Sequence, residues 1–374
     1  MPFGNSEAKT RDAVSKPRAG LDLWIAVPVF LLLAVGALIV YTSSSYLAQS
    51  NDLPQFYFFL RHLLRLLVAV VVLVLMYALP AEFWERHAGK LFWAAVILLV
   101  ALFFLGRTAF GARRWFMFGG FSFQPSDLAK LALVVFLARF MAKKDIKSFS
   151  KGFLPALGAT GILVGLVLLE PSVSTSAILA LVGITVLFMG GARLGHILVT
   201  CALAALAFAA SVRLFPHARE RVEGFTQGGA YQVTQAKIGL AEGGLVGVGP
   251  GKGKEKFLYL PKPHTDFIYA VVGEELGLVG SLAILGLLML IVLRGLVIAN
   301  RLIQHDKFLG LLGFGASGVI GFYGLAHMSV VLGLLPPTGL ALPFLSYGGS
   351  SLVLYSGMAG ILLNLSRRAS AWSS

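Results

Sequence analysis

The chain has 374 residues, of which 57% are hydrophobic and 13% charged, and its formal net charge is +14. A soluble fold carries roughly 25% charged residues, so the polar shell of a water-soluble domain cannot be built and that class is excluded. The basic excess has no aromatic-interleaved nucleic-acid module. It reports membrane topology and anionic lipid, and no nucleic-acid partner is expected.

Apolar blocks of roughly 18–22 residues match the helix length that crosses a bilayer. They predict about ten spans, near 22–43, 59–79, 90–106, 125–141, 153–169, 175–190, 194–212, 265–294, 308–333 and 347–365. Lipid cannot satisfy open backbone groups, so these blocks are helices and the fold class is an all-α polytopic membrane protein. Residues 1–21 are expected to be a basic cytoplasmic tail without a cleavable signal. Residues 22–366 form one transmembrane domain and 367–374 a second cytoplasmic tail. The single cysteine, Cys201, lies in an apolar block and reads as a small buried hydrophobe.

In the second span Arg61 and Arg65 stand one turn apart on one helical face. They either snorkel to the interface or join a cationic pocket. The outside loop 107–124 carries Arg107, Arg113 and Arg114 against the positive-inside trend. It is either a solvated loop at the headgroups or a site for an anionic ligand. Lys130 lies inside the fourth span, where charge is costly and usually functional or paired; Asp127 is the near partner. The ninth span carries Gly310, Gly313, Gly315, Gly318, Gly321 and Gly324, a small-residue stripe for close helix contact.

Segment 213–264 is the one long outside loop. Its stretch YQVTQAKIGLAEGG suits a short helix on the membrane surface. The glycine-rich, basic part that follows lacks G-x-x-x-x-G-K-[ST] and is not a phosphate loop. The G-x-G-x-x-G at Gly313, Gly315 and Gly318 lies in an apolar span and is a chance match. The loop ends at Lys262, Pro263, His264, Thr265 and Asp266. Asp266 either caps the helix that starts there or serves as a general base or cation holder. His264 has no second ligand at zinc spacing. Glu274 and Glu275, deeper in the span, must pair or face a polar cavity. The last outside turn, Pro336 to Ser351, is proline-broken and apolar. At membrane depth such backbone must be buried or line a cavity, so the segment is either a plain helix-joining turn or sets small and hydroxyl residues, Tyr347 and Ser350 among them, at the wall of an outer-face cavity.

Four stretches carry a family resemblance: GARRWFMFGGFSFQPSDLAKLALVVFLARF at 111–140, EPSVSTS at 170–176, YQVTQAKIGLAEGGLVGVGPGKGKEKFLYLPKPHTDFIYAVVGEELGLVG at 231–280 and LGLLPPTGLALPFLSYGGSS at 332–351. The chain resembles the SEDS proteins, the group of FtsW, RodA and SpoVE, and is more similar to FtsW than to RodA. The resemblance implies ten helices with both ends cytoplasmic, and a peptidoglycan glycosyltransferase that polymerises lipid II at the outer face of the cytoplasmic membrane, in cell division or cell shape. It implies Asp266 as the essential acidic residue of catalysis. Arg61, Arg65, Arg113, Arg114, Trp115, Ser126, Lys130, Glu170, Lys262, His264, Thr265, Tyr347 and Ser350 are expected around lipid II. A divalent cation, Mg or Mn, is left open beside Asp266, and no protein-held metal is assigned. The expected partners are a class B penicillin-binding protein transpeptidase and other division or elongation membrane proteins. Ser172 and His327 depart from the family's Asp and Asn, and Asp127 from its usual Glu. A lipid II flippase or transporter and a non-catalytic scaffold for a transpeptidase are the rival functions.

Overall fold

The computed structural model describes residues 20–109, 112–118, 121–226, 231–254, 257 and 259–371. Helices α1 (Leu23–Ser50), α2 (Tyr57–Ala78) and α3 (Ala81–Leu105) come first. Strands β1 (Arg107–Ala109), β2 (Ala112–Phe118) and β3 (Phe121–Phe123) then lead into α4 (Pro125–Lys143). A single π-helical turn, Phe149–Phe153, runs into α5 (Leu154–Leu169), followed by α6 (Val173–Met189) and α7 (Leu194–Leu214). Two short helices, α8 (Pro216–Thr226) and α9 (Tyr231–Gly243), precede α10 (Ile268–Ile303), α11 (Lys307–Val331) and α12 (Ser350–Ala371).

Local chemistry sets the helix ends. Asp22 caps α1 by accepting from the Trp24 backbone N–H at 3.1 Å. Asp306 caps α11 by accepting from Phe308 and Leu309 at 2.9 and 3.2 Å. Pro125 opens α4 at a position where the missing N–H costs nothing. Seven helices are long and apolar enough to cross a membrane, and α6 is a shorter apolar one. α4 and α12 are further helices of span-like length and more polar composition. α1 and α10 run past their expected ends, to Ser50 and Ile303. α11 is the most enclosed of the spans. Its stripe is only partly a close-contact face: a Cβ at Gly315 would lie 2.3 Å from Val134, whereas Gly318, Gly321 and Gly324 have ordinary clearance.

Two expectations are corrected. The segment 107–124, read as a loop, forms a three-stranded antiparallel sheet, with Arg107 opposite Trp115 and Phe116 opposite Phe123. Cys201 is exposed on α7 and not buried; α7 packs mainly on α6, so most of its apolar surface has no protein neighbour.

The glycine-rich loop after α9 has a structural job. α10 breaks at Gly277, whose φ of 69° is left-handed. The break frees the carbonyls of Glu274 and Glu275 and the N–H groups of Leu278 and Val279. All four are taken up by the loop: Val248 and Gly249 donate to the two carbonyls at 3.0 Å each, and Leu278 and Val279 donate to Gly244 and Leu245 at 2.9 and 3.1 Å. Broken helix is tolerated in a membrane protein only when its backbone is satisfied in this way. Glu274 accepts from the Lys254 backbone N–H, and Glu275 accepts from Thr42 Oγ1 of α1 at 2.8 Å. A Cβ at Gly247 would lie 2.2 Å from the Glu275 carbonyl, and its φ is +82°. Gly247→Ala is therefore expected to cost roughly 3 kcal/mol of stability, as strained overpacking does, read as a lower thermal midpoint in detergent.

The last turn behaves as its composition demands. Leu340, Leu342, Phe344 and Leu345 are buried. A Cβ on Gly36, midway along α1, would lie 2.8 Å from Leu345 Cα, so the turn reaches deep into the bundle. His327 Nδ1 donates to the Leu340 carbonyl at 2.7 Å and holds it there.

Candidate functional site

One end of the bundle is hollow. Three adjoining cavities of about 280, 390 and 440 Å³ share Lys262, Asp266 and Gly339 as common walls. The carboxylate of Asp266 is therefore the point on which all three converge.

The chain presents this side chain through a tight turn. Lys262 adopts a left-handed φ of 54°. The N–H groups of Thr265 and Asp266 both donate back to its carbonyl at 3.2 Å. The turn is tied to the last loop by Ser346 Oγ donating to the Thr265 carbonyl at 2.8 Å and by the Tyr347 N–H donating to the His264 carbonyl at 2.9 Å. α10 is capped at Phe267 with no side-chain capping bond, so Asp266 is not the helix cap. Lys262 Nζ stands 3.7 Å from Asp266 Oδ2. Burial raises the carboxyl pKa; Lys262, the Thr265 hydroxyl and Arg221 draw it down. Gly339 leaves the carboxylate open, since even a Cβ there would come within 3.5 Å of Oδ2.

Cations surround this acid in two groups. In the first cavity are Arg114 of β2 and Arg221 of α8. Arg114 donates to the Glu170 carbonyl at 3.2 Å and to the Pro171 carbonyl, which fixes its guanidinium at the sheet edge. Burial lowers its pKa and so does Arg221, while Glu170 and Asp266 raise it. Arg221 donates to the Thr338 carbonyl at 3.5 Å. Phe208, Val212 and Phe215 add an apolar wall, and Trp115 separates this cavity from the largest one.

The largest cavity holds Arg65 and Lys130. Arg65 lies 4.3 Å over the ring of Tyr347, which also contacts His264. The His264 pKa falls to about 4 through burial, then through Arg65 and Lys262, so this imidazole is neutral. Lys130 Nζ donates to Asp127 Oδ1 at 2.7 Å and lies 4.0 Å over the ring of Tyr323. Ser350 Oγ donates to Asp127 Oδ2 at 2.5 Å and accepts from the Gln124 N–H at 3.1 Å, which locks α4 to α12. Lys130 is thus both ion-paired and part of the cavity wall.

The structure brings Arg65, Arg114, Trp115, Lys130, Lys262, His264, Thr265, Asp266, Tyr347 and Ser350 together. It leaves others apart. Arg61 is exposed, covers Tyr57 of its own helix and does not line the cavities, whereas Arg65 does. Ser126 is fully buried, with a hydroxyl that has no partner among the described residues, and does not reach the cavity. The Arg113 side chain lies outside the described residues.

Glu170 does not line the cavities either. Its carbonyl holds Arg114, while its buried carboxyl oxygens have no hydrogen-bond partner among the described residues. Burial pushes its pKa up to about 8, opposed by Arg114 and helped by Asp127. The folded-state value stands above that of the unfolded chain, so stability falls as pH rises from about 4.5 to about 8. Glu170→Gln is expected to raise the thermal midpoint at pH 8 and to leave it unchanged at pH 4.

Arg221, Gln124, Thr175, Tyr323 and Tyr355 line the cavities without having been expected there. Arg221 had only its charge as a signal, in a loop with several basic residues. The two tyrosines sit in apolar helices, where an aromatic looks like core.

No three His, Cys, Asp or Glu side chains gather as a metal group among the described residues. Glu220 also lines two of the cavities and Asp127 the third, where Lys130 and Ser350 engage it, while Asp266 faces an ammonium and guanidinium groups, a setting that does not suit a protein-held divalent ion.

A bundle of long apolar helices, hollow at one end around Asp266 and two groups of cations, defines a multi-pass membrane protein. The family model described as cell cycle protein, that of FtsW, RodA and SpoVE, matches residues 23–371. The chain belongs to this FtsW/RodA/SpoVE family. It is 38% identical over 361 residues to the probable peptidoglycan glycosyltransferase FtsW of Trichlorobacter lovleyi, covering 93% of both. It is 33% identical over 362 residues to the stage V sporulation protein E of Bacillus subtilis, covering 92% of this chain and 97% of that one. Among solved structures it resembles the rod shape determining protein RodA of Thermus thermophilus, with 28% identity and a TM-score of 0.70, over 94% of this chain and 98% of that one. It also resembles a chain of a peptidoglycan synthase complex that coordinates polymerization and crosslinking, with 28% identity, a TM-score of 0.76 and coverage of 94% and 98%.

Proposed function

We propose that the chain is a peptidoglycan glycosyltransferase that polymerises lipid II, with Asp266 as the catalytic base. The observation that carries the reading is the single half-enclosed carboxylate on which three cavities converge, with Lys262 at 3.7 Å and Arg114, Arg221, Arg65 and Lys130 in the surrounding walls. The names of the FtsW relatives support the same activity.

The reaction needs a base, a cationic site and a hold on a lipid. Asp266 removes the proton from the acceptor sugar hydroxyl, and its raised pKa gives a better proton acceptor than an exposed aspartate. The hydroxyl oxygen bonds to the anomeric carbon of the donor sugar as that carbon's bond to the pyrophosphate oxygen breaks. Negative charge grows on the departing pyrophosphate, where Arg114 and Arg221 offer guanidinium groups suited to bidentate contact. The apolar wall of Phe208, Val212 and Phe215 lies beside those cations and offers room for the start of a lipid chain.

The proposed setting is the cytoplasmic membrane of a bacterium, with one transmembrane domain, both termini inside and the cavities at the outer face. The basic residues of the opposite loops support this sidedness. A class B penicillin-binding protein is the proposed partner, supported by the likeness to a chain of a synthase complex.

The test is purified protein in detergent with lipid II, alone and with a cognate transpeptidase. Glycan strands are expected without a second compartment, which a flippase or transporter cannot produce. No strands under either condition, from folded protein, would overturn the assignment in favour of transport or scaffolding.

A further inference from the structure

The loop spliced into α10 ends in an apolar tip that the proposed chemistry does not use. Leu245 and Val246 are 69% and 79% exposed, and Val248 is half-exposed beside them. They are not loosely hung. Two hydrogen bonds at 2.9 and 3.1 Å fix the carbonyls of Gly244 and Leu245 to α10, and two more hold Val248 and Gly249. The tip is therefore displayed outward from a rigid mount.

Its height in the membrane follows from two helices. Arg294 of α10 pairs with Asp22, the cap of α1, at 3.0 Å, and this pair marks the far edge of the hydrocarbon. From Arg294 back to Leu278 is about 24 Å of helix, and from Asp22 to Thr42 about 30 Å. Thr42 and Leu278 are both at the splice, through Glu275 and Gly244. The hydrocarbon is about 30 Å thick, so the splice lies at its edge on the Asp266 side. The exposed Leu278, Val279 and Leu282 of α10 continue the apolar surface of the tip, and on a membrane span that surface faces acyl chains. Lys252 and Lys254, both exposed, follow the tip in the chain, and a cationic fringe around an apolar face is the pattern of an interfacial anchor.

We propose that the Leu245–Val248 tip is a membrane wedge, inserted among the acyl chains of the leaflet on the Asp266 side. The loop continues from it through Phe257, packed 4.9 Å from the ring of Tyr46, to Lys262 and Asp266. The wedge thereby ties the turn that carries the acid to the membrane edge, where a lipid-linked sugar has its pyrophosphate.

The test is a fluorescent probe on Val246→Cys in full-length Cys201→Ser protein, reconstituted in phosphatidylcholine and phosphatidylglycerol vesicles. A matching probe on Asn51→Cys, in the exposed turn after α1, is the control. The probe at 246 is expected to emit blue-shifted light, to lose emission to nitroxides on the acyl chains and to resist aqueous iodide, with the reverse at position 51. Iodide quenching at 246 equal to that at 51 would place the tip in water. Resistance to both quenchers would place it under protein, whether this chain or a second copy. Either result overturns the wedge while leaving the proposed polymerase activity to its own assay.

Discussion

Asp266→Asn is expected to abolish lipid II polymerisation, lowering the rate by about 10²–10⁴, the usual contribution of a positioned general base. The amide keeps the shape of the carboxylate beside Gly339 and Lys262, so the loss falls on proton removal and not on packing. Stability moves the other way. Burial raises the Asp266 pKa above the ordinary value, so ionising it in the folded protein costs free energy that the unfolded chain does not incur. The variant is therefore expected to show an unchanged or higher thermal midpoint at neutral pH together with lost activity. A fall in both would mean that Asp266 holds the turn together and is not the base. The pH profile gives a second readout. Activity should rise with pH through an acid limb above the usual carboxylate range. Lys262→Met removes the nearest group that lowers this pKa, so the limb should shift to higher pH.

Much of the bundle was legible in the chain because span length and charge are fixed by the bilayer itself. The apolar blocks announced their helices directly. What was not legible depends on contacts between distant segments. Gly247 and Gly277 looked like flexible loop and ordinary span until the hydrogen bonds of the α10 break were seen to be shared between them. The 107–124 segment looked like a loop because its strands are short and its charges drew attention from their alternation. At the site, Asp266 stood out as a carboxylate at the end of a basic loop and through the family resemblance of its stretch. Its capping role was locally just as plausible, and only the geometry of Phe267 removed it. Arg61 and Arg65 share a helical face, but only Arg65 reaches the cavity, where it stacks on Tyr347, which belongs to a loop far along the chain. Glu170 illustrates the converse: it was expected around the substrate, but its carbonyl holds Arg114 and its carboxyl is sealed away.

Asp127→Asn is expected to cost about 3–5 kcal/mol of stability, because removing one partner of a buried ion pair strands the other charge. The Lys130 and Asp127 side chains are only 4% and 5% exposed. The rings of Tyr323 and Tyr355, at 4.0 and 5.6 Å from Nζ, offset only part of the lost charge. The same substitution weakens the Ser350 contact that locks α12 to α4. Asp127→Glu should retain most of the stability, since it keeps the charge. The double variant Asp127→Asn with Lys130→Met separates the two roles of the pair. Removing both charges relieves the stranded ammonium, so its denaturation midpoint should recover most of the loss, a coupling that a double-mutant cycle measures directly. Activity then decides what Lys130 is for. If its charge contributes to holding the anionic substrate in the largest cavity, the recovered fold will have a raised KM for lipid II. If the double variant polymerises lipid II with the parent's KM, the pair is a structural clamp between α4 and its neighbours, and the anion site reduces to Arg114, Arg221, Lys262 and Arg65.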